Sequence, residues 1–283
     1  MKIYDCFTFY NELDLLELRL TELSDVVDRF VIVEATTTFT NRPKPLWYKE
    51  NQNRYAQWAD KIEHIVVETE KDPNPWANET RQRDSILRGI WDASDEDIII
   101  VSDVDEIPRP AAVAWMRDCA ADFFGFRMSL SNFKFNYVRT APGEYDVWAM
   151  ATRRRHLGSQ FTPNSLRGQR FTLNGLAYQH NQDGVAIVEH GGWHFGYLGD
   201  NDYLKDKAAS FSHQEINTPE FVDNIDVETS IANRQHWGNF GSERYAIVEA
   251  NDYFPASIKN YPEFVLDNPE VSAYNILPPF PYQ

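Results

Sequence analysis

The segment DIIIVSDVDEIPRP, residues 97–110, constrains this 283-residue chain more than any other. Ile98, Ile99, Ile100 and Val101 are consecutive and β-branched, so a strand here is apolar on both faces. Such a strand belongs inside a parallel sheet covered by helices on both sides. The apolar run ends abruptly in Asp103, Asp105 and Glu106, and Pro108 and Pro110 close it. Ligands of open α/β sheets bind just outside the carboxyl ends of the strands, so these carboxylates stand where a ligand is expected.

The flanking sequence supplies the rest of that sheet. Residues 3–9, 29–35, 61–68 and 97–101 read as strands, and 11–23, 51–59 and 76–93 as helices between them. Leu13, Leu16, Leu20 and Leu23 form one apolar stripe on the first helix. Alternation of this kind predicts an α/β fold, a mostly parallel sheet wound by right-handed crossovers. After residue 120 the pattern changes. Residues 123–138 and 146–153 read as longer strands, 169–180 and 184–197 as irregular β, and 201–214 and 218–235 as helices. The last thirty residues are rich in proline and aromatics and read as a strap over the body. No Gly/Ser linker, repeat or low-complexity tract divides the chain. The expectation is one domain over 1–283, with a nucleotide-binding half (1–120), a mixed acceptor half (121–252) and the strap (253–283).

Charge narrows the partners. With 27 Lys and Arg against 43 Asp and Glu, the net charge is −16. That surface repels phosphate backbones and anionic lipid, which argues against nucleic acid and membrane surfaces. An anionic small ligand would need a metal or a local basic patch. No apolar stretch reaches 18 residues, so no transmembrane helix is expected, and the N-terminal residues lack the pattern of a signal peptide. Cys6 and Cys119 make no disulfide framework and fit a reducing, cytoplasmic compartment.

Asp103 and Asp105, two apart in an extended segment, would point the same way. Two hard oxygen ligands suit Mg²⁺ or Mn²⁺, which fill their remaining positions with water and substrate phosphates. The plain alternative is a strand ending in a solvated acidic turn. A calcium EF-hand loop needs glycine where Pro108 stands. A phosphatase-type aspartyl nucleophile would be expected on the first strand rather than the fourth. No Walker lysine loop, G-x-G-x-x-G or serine nucleophile elbow is present. His190 and His194 are four apart in HGGWH, but the two glycines argue against a helical zinc pair. Arg81, Arg83 and Arg88 share a helix ahead of the carboxylate strand, with Arg81 and Arg88 on one face. Arg81 is the residue expected to contact a diphosphate, since guanidinium pairs with phosphate bidentately.

The stretches FYNELDLLELRLTELSDVVDRFVIVEATTTFTNRPKPLWYKEN, NETRQRDSI, DIIIVSDVDEIPRP and GGWHFGYLG…KAASFSHQE together resemble glycosyltransferase family 17, over roughly residues 4–235. The resemblance implies a GT-A fold, a nucleotide-sugar donor (UDP-GlcNAc), a glycan acceptor, a divalent metal on Asp-x-Asp and inversion at the anomeric carbon. Glycosyl transfer fits the residues independently. A metal bridging both phosphates neutralises the leaving group, and an inverting displacement needs a general base. Asp105 is expected on the metal, Asp103 on metal-bound water or ribose, and His194 on metal or diphosphate. Glu34 ends the second strand, and Asn11 and Glu12 open the first helix, where the nucleoside would lie. Glu215 is the expected base, ahead of His213 and Glu106. A sugar-binding module using Trp148, Trp193 and Trp237 and a metal-dependent phosphohydrolase are the alternatives.

Overall fold

The computed structural model describes residues 1–68, 72–140, 146–174, 184–236 and 244–276. Its strands are β1 (Ile3–Phe9), β2 (Arg29–Ala35), β3 (Ile62–Val67), β4 (Ile98–Asp103), β5 (Glu106–Pro108), β6 (Phe123–Asn132), β7 (Tyr137–Arg139), β8 (Asp146–Arg153), β9 (Val185–Gly196) and β10 (Tyr245–Ile247). They form one sheet in the order β10-β7-β6-β8-β4-β1-β2-β3, with β9 joined to β6 and β5. The first four strands are parallel, as expected, in the spatial order β3-β2-β1-β4. The chain winds from β1 out to β3 and then returns to the far side of β1. The reversal falls between β1 and β4, where Thr8 pairs with Asp103. Open α/β sheets bind ligands at such a reversal.

Strand β4 is buried on both faces because each face has its own core. Ile98 and Ile100 pack with Leu16, Leu20 and Leu23 of the helix Leu13–Leu23. Ile99 and Val101 pack on the other side with Ile86 and Ile90. Gly89 lets that second layer approach β2, for a Cβ there would stand 2.3 Å from Cγ1 of Val31.

Several elements differ from expectation. The helix expected over 76–93 is two, Pro75–Asp84 and Ile86–Gly89, and Oγ of the intervening Ser85 donates to the carbonyl of Arg81. Residues Gln52–Trp58 form a 3₁₀ helix. The helix expected over 201–214 stops at Ser210, and that over 218–235 is split into Pro219–Val222 and Val227–Asn233. The β segment expected over 169–180 opens instead with the helix Arg170–Asn174, and residues 175–183 lie outside the described residues. In the C-terminal segment Tyr253, Phe254, Ile258 and Tyr261 are buried against the main core. No helix among the described residues is long and apolar enough to cross a membrane.

One residue of the first helix breaks its apolar stripe. Arg19 is fully buried, as is its partner Asp5 on β1. Its Nε and Nη2 donate to the two carboxylate oxygens of Asp5 at 2.7 and 2.5 Å. Nη2 also donates to Oγ of Ser102 at 2.7 Å. Nη1 donates to the carbonyls of Asp103, Val104 and Glu106 at 2.9, 3.2 and 2.8 Å. Beyond this turn β5 pairs antiparallel with β9, placing Glu106 opposite His194 and Pro108 opposite Gly192. A Cβ on Gly192 would lie 2.3 Å from the Ile107 carbonyl oxygen, so this pairing requires glycine.

Removing one partner of a buried ion pair leaves the other charge uncompensated. Arg19→Met should therefore lower unfolding stability in urea by about 3–5 kcal/mol. A loss under about 1 kcal/mol, the scale of an exposed pair, would contradict this account of the turn.

Candidate functional site

A cavity of about 660 Å³ opens at the reversal between β1 and β4, within the size range of small-ligand pockets. Its walls come from the ends of β1 and β4, the loop after β2, the helix Pro75–Asp84, the end of β9 and the segment after it. Six Lys or Arg side chains and six Asp or Glu side chains line it. In a chain of net charge −16, that balance marks the cleft as a place where positive charge has been collected.

The two aspartates do not act as a same-side pair. The chain leaves β4 at Asp103 and turns through Val104 and Asp105 before β5, so the extended geometry expected of Asp-x-Asp is lost. Oδ1 of Asp103 accepts from Oγ1 of Thr8 at 3.1 Å and from Nη2 of Arg83 at 2.9 Å. Its Oδ2 accepts from Nη2 of Arg167 at 2.9 Å. Burial alone would raise this carboxyl, but Arg83 and Arg167 hold it well below the usual carboxylate range. Asp105 faces other groups. Its Oδ1 lies 3.7 Å from Nε2 of His194 and its Oδ2 3.3 Å from Nζ of Lys207. Glu106 is buried, accepts from the Asp103 amide at 3.0 Å and contacts Arg167. Burial pushes its carboxyl up to about 7, against the pull of Arg167. Burial also lowers His194 to about 4, which keeps the imidazole neutral at physiological pH.

Asp105, Glu106 and His194 each offer one ligand atom, and these atoms lie within 4.8 Å of one another. The β5–β9 pairing joins two of the three across 88 residues of sequence. Carboxylate oxygens and a neutral imidazole nitrogen suit Mn²⁺ or Mg²⁺. Gly196 leaves the approach open, since a Cβ there would stand 3.6 Å from Nε2 of His194 and 3.0 Å from Oδ1 of Asn132. Nδ1 of His194 is buried with no hydrogen-bond partner among the described residues. The donor set fits a divalent cation, with Glu106 rather than Asp103 beside Asp105.

The remaining expected residues divide. Glu12 lines the cavity, with Oε2 accepting from the amides of Tyr10 and Asn11. Asn11 does not line it. Neither does Glu34, which is fully buried and bound to the Tyr48 amide at 3.2 Å, His64 at 3.0 Å and Lys44 at 3.5 Å. Its effect on the cleft is indirect, through Lys44, which does line the wall. Arg81 turns outward to Asp72 at 3.8 Å, while Arg83 enters the cavity. The inward face of that helix carries Asn78, Gln82 and Arg83, a stripe that Arg81 misses. His213 and Glu215 line the rim, exposed and bonded to each other at 2.5 Å, with Trp76 edge-on to His213. Trp148 lines the cavity, whereas Trp193 is buried and donates to the Tyr253 carbonyl. Trp237 lies outside the described residues.

Sequence reasoning missed Arg167 and Arg170. The helix Pro163–Gly168 starts from a capping box on Thr162 and directs Arg167 to Asp103 and Glu106. Arg170 stands over the Trp148 ring at 5.6 Å and 4.0 Å from Glu106. Burial, helped by the charge of Arg167, lowers it to about 10. The signal available was SLRGQR, two arginines three apart just after a Thr-Pro helix start.

Comparison with known proteins gives similarity along the chain. The β-1,4-mannosyl-glycoprotein 4-β-N-acetylglucosaminyltransferases of Rattus norvegicus and Homo sapiens are each 24% identical to it over 301 residues, covering 95% of this chain and 55% of theirs. The chain thus spans about half the length of the curated relatives it matches. Among solved structures, mannosyltransferase PcManGT from Pyrobaculum calidifontis, in complex with GDP-Man and Mn²⁺, is similar with a TM-score of 0.38 and 16% identity, over 66% of this chain and 56% of that one. The inositol-1-phosphate CTP transferase from T. maritima gives a TM-score of 0.36 and 12% identity, over 72% and 94%. The model of glycosyltransferase family 17 matches residues 1–278, and the chain belongs to that family.

Proposed function

We propose that this chain is a metal-dependent, inverting glycosyltransferase of the GT-A type, transferring GlcNAc from UDP-GlcNAc to a hydroxyl of a glycan. The observation that carries the reading is the meeting, in one cavity at the sheet reversal, of a hard-ligand trio with Arg83, Arg167 and Arg170. The donor sugar is taken from the similar rat and human proteins, which are named as N-acetylglucosaminyltransferases.

Asp105, Glu106 and His194 would hold the divalent cation, whose chemistry when bound is Lewis-acid neutralisation of the diphosphate leaving group. The arginines need no such partner to act. Arg83 and Arg167 are fixed by Asp103 before any ligand arrives, so their charge is preorganised toward the developing negative charge. Arg170 adds a third guanidinium able to pair with phosphate oxygens. The nucleoside is assigned to the β1–β2 side, among Phe9, Tyr10, Thr38 and Lys44. Asp103 is assigned to ordering the arginines and meeting the ribose.

The base is assigned to Glu215. Its carboxylate takes the proton of the acceptor hydroxyl as that oxygen attacks the anomeric carbon opposite the departing phosphate. His213 hydrogen-bonds this carboxylate, which lowers its pKa and fixes its orientation at the rim. Glu106 is buried under Arg167 and is assigned to the metal instead.

The donor assignment is tested by thermal denaturation with UDP-GlcNAc, UDP-galactose and GDP-mannose, each with and without Mn²⁺. At a hundredfold excess over Kd, UDP-GlcNAc with Mn²⁺ should raise Tm by about 5 °C, and Asp105→Asn should remove the shift. An equal response to GDP-mannose overturns the donor assignment; a shift that ignores Mn²⁺ overturns the metal. For the base, Glu215→Gln should keep the Tm shift while lowering transfer about 10²–10⁴-fold. Transfer near the wild-type rate would remove Glu215 from that role.

A further inference from the structure

Lys207 is a cation of the cleft to which the mechanism above gives no task. It is carried by the helix Asn201–Ser210, whose N-terminus is capped by Asp200. That helix is tied across the nucleoside side of the sheet. Asp206 accepts from the Tyr10 hydroxyl at 2.7 Å, and the Ala209 carbonyl accepts from Oγ1 of Thr40 at 3.0 Å. From this platform Nζ of Lys207 reaches Oδ2 of Asp105 at 3.3 Å and Oε1 of Glu12 at 3.8 Å. The rings of Tyr197 and Tyr203 stand 5.2 and 5.8 Å from it.

Every carboxylate at the strand end therefore already has a cation. Asp103 has Arg83 and Arg167, Glu106 has Arg167, and Asp105 has Lys207. A divalent cation arriving alone at Asp105 meets an ammonium fixed on the other oxygen of the same carboxylate. In a recess shielded from bulk water that repulsion is weakly screened. A diphosphate arriving with the cation reverses the balance, because its negative charge attracts both. We infer that Lys207 makes the divalent cation and the nucleoside diphosphate bind as a pair, weakening the hold on a lone cation and strengthening the hold on the two together. The inference rests on the donor site proposed above and names the residue that couples its two halves. Coupling of this kind is reciprocal, so each ligand tightens the other by the same factor.

The test is calorimetric titration of the full chain with Mn²⁺ alone, UDP alone, and each in the presence of the other. In the wild type UDP should tighten Mn²⁺ binding by about tenfold or more, and Mn²⁺ should tighten UDP equally, within the range of measured couplings. Lys207→Met and Lys207→Gln should bind Mn²⁺ alone about tenfold more tightly than the wild type and lose most of the coupling, whereas Lys207→Arg should keep it. Neutral variants that bind Mn²⁺ alone no better than the wild type overturn the inference. So does a wild type that binds UDP and Mn²⁺ independently, an outcome read without any variant and decisive even if Met and Gln at this position prevent folding. A wild type that binds Mn²⁺ but ignores UDP altogether overturns the donor reading itself, and the pairing with it.

Discussion

The guanidinium of Arg19 joins three things that the site needs at once. It neutralises Asp5 on β1, holds Ser102 at the end of β4, and satisfies three backbone carbonyls of the turn that follows. Buried backbone carbonyls left unpaired are costly, and Arg19 supplies a donor to each of these three. A lysine could neutralise Asp5 but would lack the planar fork of five donors that reaches both the carboxylate and the turn. Burying a charge pair seldom adds much stability by itself. Here its consequence is geometric. The turn that carries Asp103, Asp105 and Glu106 is fixed to β1, and β5 is delivered to β9 in the register that sets Glu106 opposite His194.

Charge then decides what the fixed turn can bind. The protein is strongly acidic, yet the cleft gathers Arg83, Arg167, Arg170 and Lys207 around its carboxylates. An acidic exterior disfavours anions in general, and a neutralised recess admits one that is shaped to its arginines. Asp103 contributes by immobilising two of those arginines, a role different from that of Asp105 although the two are separated by one residue. In the proposed transfer the arrangement resembles an oxyanion site in logic, with donors in place before negative charge develops.

The parallel half of the fold was readable because its signals are local. The β-branched run of Ile98–Val101, the leucine stripe of the first helix and the strand boundaries at 3–9 and 29–35 each follow from a short window of sequence. In the second half the strands Phe123–Asn132, Asp146–Arg153 and Val185–Gly196 fall within the segments that read as β, while the helices after them are shorter or split. The helix Arg170–Asn174 differs from the β reading because its aromatic and β-branched residues favour a strand only when packing allows one. Within the site, Asp105 and His194 could be singled out from type and position. That Glu106 and not Asp103 clusters with Asp105 and His194 follows from a turn of two residues, which no periodicity reveals. That Arg83 and not Arg81 lines the cavity depends on which face of the helix Pro75–Asp84 turns inward, and Arg167 lies more than sixty residues from the carboxylates it touches. Those are facts of tertiary packing, and sequence windows do not contain them.

The claim on which the rest turns is that Asp105, Glu106 and His194 are one metal site, made by the pairing of β5 with β9. Electron spin-echo envelope modulation of the Mn²⁺·UDP complex, in protein labelled with ¹⁵N-histidine, reads a metal-bound imidazole directly. The account predicts a ¹⁵N coupling from one histidine that disappears in His194→Ala while Mn²⁺ remains bound more weakly. A Mn²⁺·UDP complex with no histidine coupling, or with one that survives His194→Ala, would contradict it.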